Sequence, residues 1–202
     1  MPRVSNAKEN ILEAGKELFW LHNYGSVSVD DICKKAEVNK GSFYHFFSSK
    51  AELCVECMES HWQSRLTSND AIFSVTKSPL KRIEDYCSDL VQCQSDLYEK
   101  YGYILGCPVT LTATELGHEE EKIRLKSLEV FNGYSKYFES IIKDLDSEIK
   151  LRDINTEALS KQIFSYITGL LYYAKINKDL DFLRNNLESG IKSLMGIEST
   201  NT

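Results

Sequence analysis

Two groups of side chains in this 202-residue chain have the chemistry to act: its six thiols, and one run of aromatic and basic residues free of acids. Cys54 and Cys57 stand as Cys-Val-Glu-Cys. That spacing holds zinc or a redox pair only if a second ligand pair or an exposed turn completes it. Cys87 and Cys93 are six apart and His61 is alone, so buried small hydrophobes is the better reading of the pair. Cys107 differs. It lies between Gly106 and Pro108, and Pro108 opens a helix, which puts the sulfur near a helix N-terminus where thiolate is favoured. The preceding "YGYILG" reads as a flexible approach for reagents. Lys175, ending "GLLYYAK", is either a cation near that thiol or a solvated lysine at a helix end.

The acid-free run is "VNKGSFYHFFSSK", Val38 to Lys50, in a chain with 30 acidic and 24 basic residues. Phe43, Phe46 and Phe47 fall at core-facing helical steps, as does Phe19 on the first helix, while Tyr44 and His45 point outward. A carboxylate on that outward face would repel a polyanion. A phenol, an imidazole, Lys40 and Lys50 would attract one. Arg3 and Lys8 precede this region on a terminal arm, as solvated charges or as contacts to phosphate or a minor groove.

The elements that must position these groups are helices. "NAKENILEAGKELFWLHNYG" places Ile11, Leu12, Gly15, Leu18, Phe19 and His22 at three- and four-residue steps, with a left-handed stop assigned to Gly25. "SVDDICKKA" opens on Ser28 with Asp31 three positions on, a capping-box start, and turns Val29, Ile32, Cys33 and Ala36 to one face. Asn39 caps a very short helix, "KGSFYHF". Ser49 and Glu52 start a fourth helix that runs to about Phe73. Pro79 opens a fifth. An irregular "YEKYGYILG" leads to Pro108 and a short helix ended by Gly117. A long helix spans about 119–145, and two more span 156–176 and 179–195, closed by Gly196. The pattern is all-α with about nine helices, divided into a small unit at 1–50 and a larger one at 51–202.

The totals agree. Hydrophobic residues make up 42% and charged residues 27%, and only 10 Gly and 3 Pro interrupt the chain, as in a globular helical protein. No apolar run reaches transmembrane length and the start carries charges, so a soluble, cytoplasmic protein with reduced thiols is expected. The net charge of −6 excludes a general nucleic-acid coat, although residues 1–50 hold seven Lys/Arg against six Asp/Glu.

Two short helices joined by a tight turn form a helix-turn-helix, whose second helix enters the major groove of DNA. "ILEAGKELFWLHNYGSVSVDDICKKAEVNKGSFYHFFSSKAEL" resembles the N-terminal domain of TetR-family transcriptional regulators over roughly residues 8–55. Phe19, Tyr24–Gly25, Val29–Ile32, Ala36, Val38, Lys40–Gly41, Tyr44, Phe47 and Lys50–Leu53 fall in register. The resemblance implies that Ser28, Asn39, Lys40, Ser42, Tyr44, His45 and Lys50 lie at the DNA surface. Cys33 stands where a small Ala is usual, and Glu37 where Gly is usual in the turn. Glu37 would then strain a left-handed position. "GCPVTLTATELG" is similar to a ligand-domain segment of some members, with Thr-Leu-Thr where Gly-Asn-Leu is common. Some such members respond to electrophiles or oxidants.

The larger unit is rich in aromatics, among them Phe131, Tyr134, Tyr137, Phe138, Phe164, Tyr166, Tyr172 and Tyr173. Most belong to a core, but convergent tyrosines also suit an amphipathic ligand pocket. Cys107, Tyr103, Phe131, Tyr134, Phe164 and Lys175 are the candidates for effector binding or sensing. Residues 156–176 and 179–195 read equally as monomer core; the family resemblance makes them a four-helix dimer interface. The expectation is a homodimeric regulator of a pseudo-palindromic operator, most simply a repressor released by a small molecule or electrophile. It needs no cofactor, metal, membrane or catalytic site. The rivals are an effector-dependent activator on the same fold and a Cys-based redox or metal-binding helical protein.

Overall fold

The computed structural model describes residues 6–116, 119–151 and 155–197, and nine helices occupy them. They are α1 (Ala7–His22), α2 (Val29–Lys35), α3 (Lys40–Phe46), α4 (Lys50–Ile72), α5 (Pro79–Tyr101), α6 (Pro108–Leu116), α7 (Glu121–Ile149), α8 (Thr156–Asn177) and α9 (Leu180–Leu194). No strand is found among the described residues.

Local chemistry sets most helix starts. The Ser28 hydroxyl accepts the Asp31 N–H while the Asp31 carboxylate accepts the Ser28 N–H, a complete capping box for α2. Asn39 Oδ1 accepts the Ser42 N–H at 2.8 Å and starts α3. For α4 the box is shifted: Ser49 caps the Glu52 N–H, but the Glu52 carboxylate reaches Ser48. Ser78 caps α5 ahead of Pro79.

Four helix ends differ from the sequence expectation. Residue Asn23, at φ 64°, makes the positive-φ exit from α1, and Gly25 does not. Helix α5 continues through Tyr98–Tyr101 to a left-handed Gly102, so the irregular stretch starts later. Helix α7 starts at Glu121 and reaches Ile149. Gly117 and Arg3 lie outside the described residues.

Packing gathers the chain into two compact units. The first combines residues 1–65 with 108–130, so α6 and the start of α7 join α1–α3 and the first part of α4. Ile11, Ile32, Phe43, Phe47 and Leu53 are fully enclosed there. His22, expected on the inner face of α1, is exposed, and Phe46 is half-buried. The second unit combines 66–107 with 131–202. Its core is one cluster including Phe73, Ile83, Phe138, Ile141, Ile163, Leu183 and Leu187. Arg82 is enclosed within this unit and neutralised by Asp144 at 2.6 Å, which offsets the cost of burying a guanidinium.

Candidate nucleic-acid interface and effector unit

The short α3 can present a surface because its other side is anchored. Phe43 and Phe47 are 0% exposed, whereas Tyr44 is 55% exposed and stands edge-on to Phe43 at 5.2 Å. His45 is also exposed, edge-on to Phe46 at 4.7 Å. Asn39, Lys40 and Gly41 are exposed at the helix start, and Ser42 is half-buried. The Lys40 ammonium pairs with Asp30 of α2 at 2.8 Å, with both side chains more than half exposed, and that carboxylate raises its pKa. Ser28 is exposed at the start of α2, its hydroxyl turned to Asp31. Lys8 pairs with Glu56 at 2.9 Å and lies over the Phe47 ring at 5.5 Å.

Lys50 is placed differently from the others. Its ammonium donates to the carbonyls of Tyr24 (2.9 Å) and Val27 (2.8 Å) and sits 3.9 Å over the Tyr24 ring. Burial lowers its pKa, with Glu115 and Cys54 opposing. This lysine holds the α1–α2 turn from behind.

The same turn is held from the other side by a residue that the sequence reading missed. The Glu115 carboxylate of α6 accepts the Tyr24 N–H at 3.0 Å and the Gly25 N–H at 2.6 Å, one oxygen to each. A Cβ at Gly25 would stand 2.6 Å from Glu115 Oε1, so a larger residue there would push the carboxylate aside. One clue was available: Glu115 is the single charged residue among the nine of α6. At the tip of the helix-turn-helix, Glu37 adopts φ 56°, the left-handed conformation that its β-carbon disfavours.

The thiols divide by burial. Cys54 and Cys87 are pushed up to about 12, Cys57 well above the usual thiol range, and Cys33 upward, each chiefly by desolvation. Cys93 and Cys107 are half-buried, and Cys107 directly precedes the first residue of α6. The segment before Cys107 is not loose. Ile104, Leu105 and Gly106 are buried, and the buried Gln94 amide accepts the Gly106 N–H at 2.9 Å and donates to its carbonyl at 3.4 Å. Lys175 is half-buried rather than solvated; its ammonium donates to the Leu105 carbonyl at 3.3 Å, and burial lowers its pKa.

Of the aromatic candidates, Phe131 and Phe164 meet at 5.2 Å, and Tyr134 stacks on Phe164 at 5.7 Å. Tyr103, 60% exposed, stands apart from them on the surface. No group of three or more His, Cys, Asp or Glu side chains among the described residues is arranged to hold a metal, and none of their helices is long and apolar enough to cross a membrane.

Comparisons with known proteins agree with this architecture. Residues 11–57 match the family described as "Bacterial regulatory proteins, tetR family", and residues 79–189 match "Tetracyclin repressor-like, C-terminal domain". An uncharacterized HTH-type transcriptional regulator in the lacX 3' region of Lactococcus lactis subsp. lactis is 30% identical over 188 residues, covering 92% of this chain and 91% of that protein. The HTH-type transcriptional repressor DhaR of Mycobacterium sp. (strain GP1) is 22% identical over 93% of this chain and 92% of its own. In fold, a TetR-family regulator from Agrobacterium tumefaciens superposes with a TM-score of 0.83 at 17% identity, covering 95% of this chain and 98% of that one. The chain belongs to the TetR family of DNA-binding transcriptional regulators, which are not enzymes.

Proposed function

We propose that the protein is a homodimeric repressor that grips a pseudo-palindromic operator through α3 and releases it when a small-molecule or thiol-reactive effector engages the second unit. One observation carries the reading. The cap Asn39 and, on α3, the exposed Lys40, Tyr44 and His45 with the half-buried Ser42 form a face without carboxylates, on a helix fixed by the enclosed Phe43 and Phe47. Lys40 would exchange its solvent-exposed partner Asp30 for a phosphate at little cost. Tyr44 would donate its phenol O–H to the backbone, and Ser28 would flank it. Lys50 would serve by holding the turn behind them. Residues 1–50 thus act as the DNA-binding domain and 51–202 as the effector and dimerisation domain.

Tyr173 (52% exposed), Ile176 (77%) and Leu194 (40%) leave apolar surface on α8 and α9 suited to a two-fold partner. Gly169 faces open space on the same helix. The DhaR relative is named a repressor, which favours repression over activation. For the effector, the Phe131–Phe164–Tyr134 wall suits an apolar body. Cys107 suits a thiol-reactive one, since α6 starts at the next residue and carries Glu115 near its other end. Modifying Cys107 would displace the start of that helix and loosen the carboxylate from the α1–α2 turn.

The test is titration with N-ethylmaleimide, with peptide mass spectrometry and operator binding followed in parallel. Wild type should release operator as Cys107 is alkylated, while Cys107→Ser binds operator and ignores the reagent. Release of both proteins at the same dose would remove the thiol from the mechanism.

A further inference from the structure

Among the described residues, the Asn69 carboxamide on α4 is an anomalous polar group. It is 0% exposed, and neither Oδ1 nor Nδ2 has a hydrogen-bond partner among the described residues. An amide offers two donors and an acceptor, and buried amides are almost always satisfied because leaving them bare costs stability. Other buried polar side chains of the same unit follow that rule. Gln94, with the identical functional group, exchanges two hydrogen bonds with Gly106. Arg82 is met by Asp144 and the Lys77 carbonyl, and Ser160 by the Glu157 carbonyl. A leucine would fill the space of Asn69 without penalty, so the amide is explained by something it receives.

Its level in the bundle says what surrounds it. Phe73, four residues on and just past the end of α4, donates its N–H to the Asn69 carbonyl at 2.8 Å, stacks on Tyr137 at 4.6 Å and meets Phe138 edge-on at 5.6 Å. Asp70 accepts the Tyr137 hydroxyl at 2.5 Å. These contacts advance together along α4 and α7. One turn before the Phe73–Phe138 contact therefore lie Asn69 on α4 and Tyr134 and Ser135 on α7. Ser135 is buried, and Tyr134 carries the layer on to Phe164 of α8. The single charged side chain fully buried among the described residues of this unit, Arg82, is already neutralised. The level of Asn69 is thus aromatic, polar at one point and uncharged.

We propose that Asn69 is the hydrogen-bonding anchor of an effector site in the α4–α7–α8 layer, and that the ligand is a neutral aromatic molecule with an adjacent donor and acceptor, such as a primary carboxamide or a lactam. Such an edge pairs with the asparagine amide through two antiparallel hydrogen bonds, while its ring joins Tyr134 and Phe164. A carboxylate of the same shape is rejected, because it cannot supply the donor and would bring an unpaired charge into the layer. The proposal rests on the reading of this unit as the effector unit, and it assigns the chemistry that unit selects.

The probes are benzamide, 2-pyridone and benzoate, added to the full chain, with the Asn69 side-chain amide followed by NMR in wild type and benzamide affinity compared by calorimetry in wild type and Asn69→Leu. Benzamide or 2-pyridone should shift the Asn69 NH2 resonances saturably and benzoate should not. Asn69→Leu should melt higher than wild type when ligand-free, because a bare amide has been removed, and should bind benzamide at least about tenfold more weakly. Three results would overturn the site: no saturable shift with either neutral probe, equal benzamide affinity in Asn69→Leu, or an Asn69→Leu protein that melts lower, which would mean that the amide already has a bound water. Operator binding, measured in the same samples, separates the two claims. Benzamide bound through Asn69 without weakening operator binding leaves the site standing and overturns only the effector reading of the unit.

Discussion

At the scale of single residues, the DNA-reading unit is governed by how its turns are held. Glu115 accepts the Tyr24 and Gly25 N–H groups of the α1–α2 turn, and hydrogen bonds to a charged acceptor are among the stronger ones. Glu115→Ala frees both N–H groups, one of them open to solvent, so it should lower stability by about 1–2 kcal/mol in thermal or urea denaturation. It should also leave operator affinity less sensitive to effector than in wild type. Glu37 makes the opposite case. Its φ of 56° is one that a side chain opposes, and Glu37→Gly should stabilise the protein by about 0.5–1 kcal/mol in the same melts, the relief of strain exceeding the added chain entropy. Glu37 was legible in advance because the helix-turn-helix pattern calls for glycine there. Glu115 and Lys50 were not, since their partners are backbone groups 90 and 26 positions away, and no local pattern encodes such a pairing.

At the scale of elements, the helices were legible where short-range chemistry writes them. Ser28 with Asp31, Asn39, and Ser78 before Pro79 are local caps, and each starts a helix where the sequence places it. The exits were less legible, because Asn23 and Gly102 compete with neighbouring residues that look equally suited to stop a helix. Burial was the harder quantity. His61, solitary in sequence, is packed edge-on to Trp20 at 5.7 Å, and desolvation, aided by Arg65 and Lys16, lowers its pKa to about 4. The folded form therefore holds this imidazole neutral, while the unfolded chain protonates it near its ordinary value. Between about pH 6.5 and 4 the unfolded state binds more protons, so acidification removes stability, with a ceiling of about 3 kcal/mol. Urea denaturation at pH 7 and pH 4.5 should show that loss in wild type, and His61→Phe, which keeps a ring against Trp20, should shrink it. An equal pH dependence in both proteins would place the acid sensitivity elsewhere.

At the scale of the whole molecule, the all-helical architecture was readable from hydrophobic periodicity, but the role of its last two helices was not. Gly190 and Gly169 look alike in sequence, yet a Cβ at Gly190 would collide with Tyr166 of the same chain, whose hydroxyl donates to the Asn186 carbonyl, while Gly169 meets nothing. One glycine serves the fold of the chain and the other is left on a surface. In the proposed function, two copies of α3, each presenting Asn39, Lys40, Ser42, Tyr44 and His45, read a two-fold operator from successive major grooves. Footprinting genomic fragments with the purified protein over a range of salt tests this most directly. The account predicts protection of a pseudo-palindrome with half-site centres about 34–36 Å apart or a multiple of that, and an affinity that falls steeply as salt rises. Protection without two-fold symmetry, or none that is sequence-specific, would contradict it.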